Sequence, residues 1–415
     1  MVRKLPKGWA HRVLGNCIES IESGVSVNGE DRPASSTETG VLKVSAVSDG
    51  RFFPGQNKKV VANELVRARL NPSAGSLIVS RANTPELVGA VAYVEEDHPN
   101  LFLSDKLWQI RLPKSGPIAP QWLNAVLSSQ FYRKQLMELA TGSSKSMQNI
   151  SQASFLALEV PAPGLDEQRR IVCVLDAADR QIDLAEKIAK ETADQSAAIA
   201  SKLIASIAGK QVDLAQVVSR VRRPPTNADV VPLTISAESG LVPQSTFFGR
   251  RVASDVIDSY TLIRRGEFAY NKSYSNGYPY GAIKRLEDVE EGVLSSLYLC
   301  FGADDQDALD GNYLAAVCES GFFNRQIHMI AHEGARNHGL LNVSAEDFFS
   351  MRLPLPNQQE QKRIADAVRA ARARVQQSRE RVESLQRQKR ALMQKLLTGQ
   401  QRLTRDLPGM ESGDV

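Results

Sequence analysis

The stretch PGLDEQRRI (Pro163–Ile171) is written a second time, with few changes, as PNQQEQKRI (Pro356–Ile364), 193 residues further on (356 − 163). Holding that offset and reading outward without gaps, Ser151 falls on Ser344, Phe155 on Phe348, and Pro161 on Pro354. Glu167 falls on Glu360, Gln168 on Gln361, Arg170 on Arg363, and Ile171 on Ile364. One local device is used twice: a short apolar strand ends in a Pro-x-Pro turn, and a helix starts behind it. Proline suits the turn because it cannot extend a strand ladder and disfavours helix in the residue before it. The acids of the first copy, Asp166 and Glu167, suit the positive end of the helix dipole. A period this long means a duplicated half, not a solenoid.

The helices that follow share a phase. In the first, Ile171, Leu175, Ala178, Ile182, Ala185 and Ala189 step by 4-3-4-3-4. Thr192 and Ser196 interrupt, then Ile199 and Leu203 resume. In the second, Ile364, Val368, Ala371, Val375, Ser378, Val382, Leu385, Lys389, Leu392 and Leu396 keep the alternation. Sustained 4-3 spacing predicts a coiled-coil seam. Each run is about 40 residues, or about 60 Å at 1.5 Å per residue. The second helix is rich in Arg and Lys, while the first carries Asp176, Asp179, Asp183, Glu186, Glu191 and Asp194. Opposite charge favours pairing with each other over self-pairing. The sequence therefore predicts an antiparallel pair, with the chain running out along one helix and back along the other and the two globular halves at opposite ends.

With 415 residues there is room for two or more cores. Apolar content of 42% and charged content of 24% are ordinary for a globular protein, and no apolar run is long enough to span a bilayer. The start MVRKLPKGWAHRVLG has no apolar stretch behind its basic residues, so no signal peptide is read. Cys17, Cys173, Cys300 and Cys318 are scattered, with no CxxC pair, which fits reduced cytoplasmic thiols. The net charge of +4 does not by itself argue for nucleic acid, so any basic surface must be local.

Residues 1–163 and 211–356 read as mixed α/β domains, 164–210 and 357–400 as the long helices, and 401–415 as a disordered tail. SLIVSRANTPELVGAVAYV has two β-rich runs, Ser76–Ser80 and Val88–Val94, around a polar loop. EFAYNKSYSNGYPYGAIKRL repeats the plan. SDKLWQIRL and LSSLYLCF supply strands at matching places, and helices follow over 121–140 and 312–331. Each half then has a polar loop, TGSSKSMQNIS or HEGARNHGLLNVS. The frame is common and the loops differ, as expected of two scaffolds that read two different things. Trp9, Trp108 and Trp122 read as core.

No phosphate loop, GxSxG elbow, HExxH or amino-methyltransferase Pro-Pro-aromatic motif is present, and AGKQ at 208–211 lacks the first glycine and the hydroxyl of a phosphate loop. His328 and His332, with His338 nearby, lack the further ligands a metal needs. No catalytic residue and no metal ligand is assigned.

Two variable α/β halves, each closing with a Pro-x-Pro turn, a Glu-Gln pair and a long helix, resemble the specificity subunit of type I restriction–modification enzymes. The opening LPKGWAHRVLG, the segment SRANTPELVG and the ending LMQKLLTGQQRL are similar to that family as well. The second half lacks the PxGW opening and starts at VDLAQVVSRV. The resemblance implies an α+β chain with two target-recognition domains joined by an antiparallel coiled coil in a pseudo-two-fold, duplicated architecture. It further implies a non-catalytic reader of double-stranded DNA, each domain taking one half of a split asymmetric target. The helices would act as spacer and as docking site for two modification subunits. S-adenosylmethionine, ATP and Mg would sit on the modification and restriction subunits, with no cofactor in this chain, no membrane partner and a cytoplasmic location.

On that reading, base or phosphate contacts are expected from Ser80, Arg81, Asn83, Thr84 and Lys145 in the first half. In the second they are expected from Asn271, Lys272, Ser273, Tyr274, Arg336, Asn337 and His338. Arg and Lys donate to guanine, Asn pairs with adenine, and hydroxyls hold phosphate. Glu167, Gln168, Arg170, Glu360, Gln361 and Arg363 are expected at the helix starts and in subunit docking. The competing readings are a recognition subunit of a related defence system, a coiled-coil scaffold without DNA binding, and a methyltransferase fragment.

Overall fold

The computed structural model describes residues 5–144, 147–207, 210–225, 230–236, 240–245, 259–273, 278–331 and 341–403. The chain divides into two compact units, Met1–Leu184 with Val382–Val415, and Ala185–Arg381. In chain order the helices are α1 (Pro120–Ser128), α2 (Gln130–Leu139), α3 (Gln152–Leu156) and α4 (Leu165–Ala205), then α5 (Gly311–Glu319), α6 (Asn324–Ile330), α7 (Ala345–Phe349) and α8 (Gln358–Leu397). The chain leaves the first unit and enters the second within α4, and makes the reverse crossing within α8. The expected α+β duplication is present.

In the first unit a four-stranded antiparallel sheet has the order Ser20–Ser23, Leu107–Arg111, Leu77–Ser80, Val91–Tyr93. The second unit repeats the order with Val218–Arg220, Tyr298–Ala303, Phe268–Asn271, Ala282–Arg285. The central strand is buried on both faces. Leu77 and Val79 enter the helix-covered core while Ile78 enters a smaller one behind the sheet. Phe268 and Tyr270 face one core of the second unit, and Ala269 the other. Two-sided burial is why both strands read as unbroken apolar runs.

A short strand opens each half and pairs antiparallel with the strand before the Pro-x-Pro turn. Ala10–Val13 pairs with Glu159–Ala162, and Gln211–Asp213 with Arg352–Pro354. A 3-10 turn follows in both, with Leu14 N donating to Leu158 O (2.9 Å) and Leu214 N to Met351 O (2.8 Å). The second half thus has the opening whose sequence signature it lacks. Backbone pairing and one buried leucine, Leu14 or Leu214, are enough to make it. The first carbonyl of the Pro-x-Pro turn accepts a bond from an aromatic tip in both units: Trp122 Nε1 to Pro161 O (2.9 Å), and Tyr313 OH to Pro354 O (2.6 Å). All three tryptophans are buried, as expected.

The helices expected over 121–140 and 312–331 are each two. Ser129 is extended (φ −66, ψ 149) between α1 and α2, its Oγ donating to Val126 O at 2.6 Å. The break lets Trp122, Leu123 and Val126 of α1, and Tyr132 and Leu136 of α2, all face the core.

The long helices run antiparallel within each unit. In the first, Ile171 and Leu175 of α4 pack with Leu392, Leu396 and Leu397 of α8. In the second, Ala200 and Ile204 of α4 pack with Ile364, Ala365 and Val368 of α8. The seam expected on α4 stays at least partly buried through Ser196 and then shifts: Ile199 is 43% exposed, Leu203 is half-buried, and Ala200 and Ile204 are buried. A straight α-helix drifts against a 3.5-residue repeat. Here the drift turns Ala200 and Ile204 toward both α8 and the globular core around Val212, Leu214 and Phe348. Of the charge complementarity, Lys389 Nζ bonds both carboxylate oxygens of Asp179 (2.5 and 2.6 Å). Asp183 instead pairs with Arg51 (2.5 Å) and Arg372 with Glu319 (2.5 Å), each joining a long helix to its own unit's globular part.

Candidate nucleic-acid interface and helix-start clamps

The two polar loops singled out in the first half meet. Behind the central strand, Ala82–Asn83 pairs with Met147–Asn149, which pairs in turn with Thr141–Ser144. The result is a three-stranded ribbon beside the main sheet. Arg81 sits at the junction. Its N donates to Lys106 O (3.0 Å), and its O accepts from Ile150 N (2.9 Å). Its guanidinium lies 5.9 Å over the Trp108 ring.

The second half uses the same joint. Lys272 follows the central strand, and its O accepts from Leu341 N at 2.9 Å. Both members of this pair lie 191 residues beyond Arg81 and Ile150 (272 − 81, 341 − 150). A basic residue therefore occupies the same structural position in each unit, with its backbone tied to the C-terminal part of the last polar loop. The side chains diverge. Lys272 Nζ donates to Val343 O (2.6 Å), and burial, helped by the nearby Arg220 charge, lowers its pKa.

The other expected contacts separate. Ser80 and Asn83, expected to touch DNA, are buried, with Asn83 Nδ2 donating to Ser80 Oγ (3.1 Å) and Asn83 Oδ1 accepting from Thr84 N (2.8 Å). They order the loop from inside: Ser80 ends the central strand between the two cores, and Asn83, on the ribbon strand that follows, bonds back to it. Thr84 is exposed and Arg81 partly so. Asn271 Oδ1 accepts from Ser273 N (3.0 Å), and Asn271, Lys272 and Ser273 are all partly exposed. Lys145, Tyr274, Arg336, Asn337 and His338 lie outside the described residues.

The doubled glutamine is a structural clamp. Gln168 is fully buried: its Oε1 accepts from Ala119 N (2.9 Å), and its Nε2 donates to Pro117 O and Pro163 O (both 2.8 Å). Gln361 repeats this with Asp310 N (2.8 Å), Ala308 O and Pro356 O (both 3.0 Å). One amide ties each long helix to its own turn and to the chain before α1 or α5. Both glutamines are at the helix starts, with their side-chain amides bonded within their own unit.

The neighbouring positions are not equivalent. Glu167 is buried and bonded to Trp9 Nε1 (3.2 Å) and Arg402 (2.6 and 2.8 Å). Burial would raise its pKa, but the Arg402 bonds and charge and the Trp9 bond outweigh that and hold it below the ordinary range. Arg170 Nε donates to Leu403 O (2.8 Å). Glu360 pairs instead with Arg363 one turn along (2.6 and 2.8 Å), both solvent-facing, which lowers the Glu360 pKa.

The sequence does not single out Arg402, and it marks Trp9 only as core. Arg402 falls in the stretch read as a disordered tail, yet it also donates to Lys7 O (2.9 Å) and lies 5.8 Å over the Trp9 ring. The conspicuous LTGQQRL was the available signal. Gly399 has φ +71, and a Cβ there would run into Pro6. Among the described residues, no His, Cys, Asp and Glu cluster could hold a metal, and no helix is long and apolar enough to cross a membrane.

Two units with one sheet order, one helix-start clamp and one backbone joint define a duplicated protein. Residues 7–192 match the type I restriction modification DNA specificity domain. The type I restriction enzyme EcoEI specificity subunit of Escherichia coli is 25% identical over 174 residues, 42% of this chain and 29% of that protein. The putative type I restriction enzyme MjaX specificity subunit of Methanocaldococcus jannaschii is 20% identical over 427 residues, 97% of this chain and 96% of that one. A solved chain from work on complex assembly and conformational transition of the type I R-M system superposes with a TM-score of 0.60 at 18% identity, over 96% of this chain and 100% of that one. The chain is thus similar to type I restriction–modification specificity subunits, and it spans less than a third of the EcoEI subunit's length in that match.

Proposed function

We propose that each unit reads one part of a split, asymmetric double-stranded DNA target, and that α4 and α8 set the spacing between the parts. The observation that carries this is the joint after the central strand: the same position and the same backbone tie, but an arginine over an indole ring in one unit and a lysine spent on a backbone carbonyl in the other. Matched frames with unmatched reading edges are what a target with two different halves requires. A helical spacer of several turns suits half-sites one or more DNA turns apart, at about 34 Å per turn.

The chain does no chemistry of its own in this reading. Two modification subunits dock on it and bring S-adenosylmethionine, restriction subunits bring ATP and Mg, and the assembly works in the cytoplasm. The likeness to type I restriction enzyme specificity subunits supports these roles. The test is single-molecule, modification-aware sequencing of a host with and without the gene, its modification subunit being expressed. Loss of methylation at one split motif is expected on deletion. Replacing residues 1–163 with those of a type I specificity subunit should change one half of that motif and leave the other. An unchanged methylation pattern on deletion would overturn the reading.

A further inference from the structure

The strongest unexplained group in the first unit is the Arg81 guanidinium. Its backbone is held on both sides, by Lys106 O and Ile150 N, so the side chain leaves from a fixed point. Its Cζ sits 5.9 Å over the Trp108 ring, and Trp108 is itself buried. Among the described residues it has no carboxylate partner. Its Nε is shut off from solvent without a hydrogen-bond acceptor, while the residue as a whole is partly exposed. Arginine buried along its stem and left without an anion is costly. A fork held rigid is what bidentate recognition needs. A phosphate contact would not need it, since a mobile lysine or arginine serves as well. The counterpart Lys272 spends its charge on Val343 O, so the arrangement is not a by-product of the shared frame.

We propose that Arg81 reads a guanine in the major groove through its two terminal nitrogens, so that the first half of the target contains a G·C pair on which recognition depends. This rests on the reading of the first unit as a DNA reader. The guanine edge offers two acceptors, O6 and N7, which match the end of the fork. Thr141–Ser144 and Met147–Asn149, two strands of the three-stranded ribbon beside Arg81, form an antiparallel pair of the kind the major groove admits.

The experiment uses the full assembly with its modification subunits, and duplexes carrying the motif found by sequencing, each base pair of both halves replaced in turn. Wild type, Arg81→Ala and Arg81→Lys are compared at several salt concentrations, with thermal melts checking that both variants fold. Arg81→Ala is expected to lose roughly 5- to 150-fold in binding to the intact target and to become indifferent at one G·C pair of the first half. Discrimination in the second half should be unchanged. Arg81→Lys should keep the salt dependence but lose that discrimination, because it keeps the charge and lacks the fork. A uniform loss across all duplexes, with the salt slope reduced by about 1, would make Arg81 a phosphate contact and overturn the proposal. So would wild-type discrimination in both variants. If the wild-type assembly itself does not discriminate in the first half, the reading of that unit fails, and not merely the assignment of Arg81.

Discussion

At the scale of single residues, the duplicated Glu-Gln pair shows that like letters need not do like work. Gln168 and Gln361 make the same three bonds, because each faces the same carbonyls and amide in its own unit. Glu167 and Glu360 differ because Arg402 and Trp9 reach only the first. The folded pKa of Glu167 lies below its unfolded value. Its contribution is therefore complete above the ordinary carboxylate range, near 4.3, and is lost as pH falls through the lower folded value. Glu167→Gln should cost about 1–3 kcal/mol at neutral pH. Urea melts of wild type and variant should converge as pH drops through the acid range. A constant difference down to acid pH would mean that the carboxylate charge is not what holds Arg402.

At the scale of elements, periodicity was a good guide wherever one partner decided which face is buried. Every seam position expected on α8 is at least partly buried. On α4 the pattern failed at Ile199, where the globular core competes with α8 for the same face. Periodicity in one helix cannot register a second neighbour. The polar member of the α8 seam, Lys389, meets Asp179 in a half-buried pair, with side chains 19% and 31% exposed. Lys389→Leu should destabilise by about 1–3 kcal/mol, by leaving Asp179 without its cation. Adding Asp179→Leu should recover most of that, since a packed apolar pair replaces an ion pair at little cost. Denaturant midpoints of the two single variants and the double variant measure the coupling. An additive cycle would show that the pair contributes nothing.

At the scale of the whole molecule, the last described residues belong to the first unit. Leu396 and Leu397 are in its core, Gly399 lies against Pro6, and Arg402 and Leu403 bond the start of α4. A chain ending at Leu397 should lose amide-exchange protection in the pairing of Ala10–Val13 with Glu159–Ala162, while the equivalent pairing of Gln211–Asp213 with Arg352–Pro354 is unaffected. Equal loss in both would mean that the segment stabilises the chain generally. The sequence alone determined the duplication, the helix starts, the 4-3 seam and the division into common frame and unlike loops. These follow from local rules: proline geometry, helical spacing and the alternation of apolar runs. Only the tertiary structure decided that the opening strand is present in both halves, that Ser80 and Asn83 are inside while Arg81 is not, and that Arg402 completes a buried clamp 235 residues from Glu167. Each of these depends on which distant segment a side chain meets. The offset between matching positions is 193 at the helix starts, 191 at the reading joint and 200 at the opening (214 − 14), so no single register in the sequence could have aligned them.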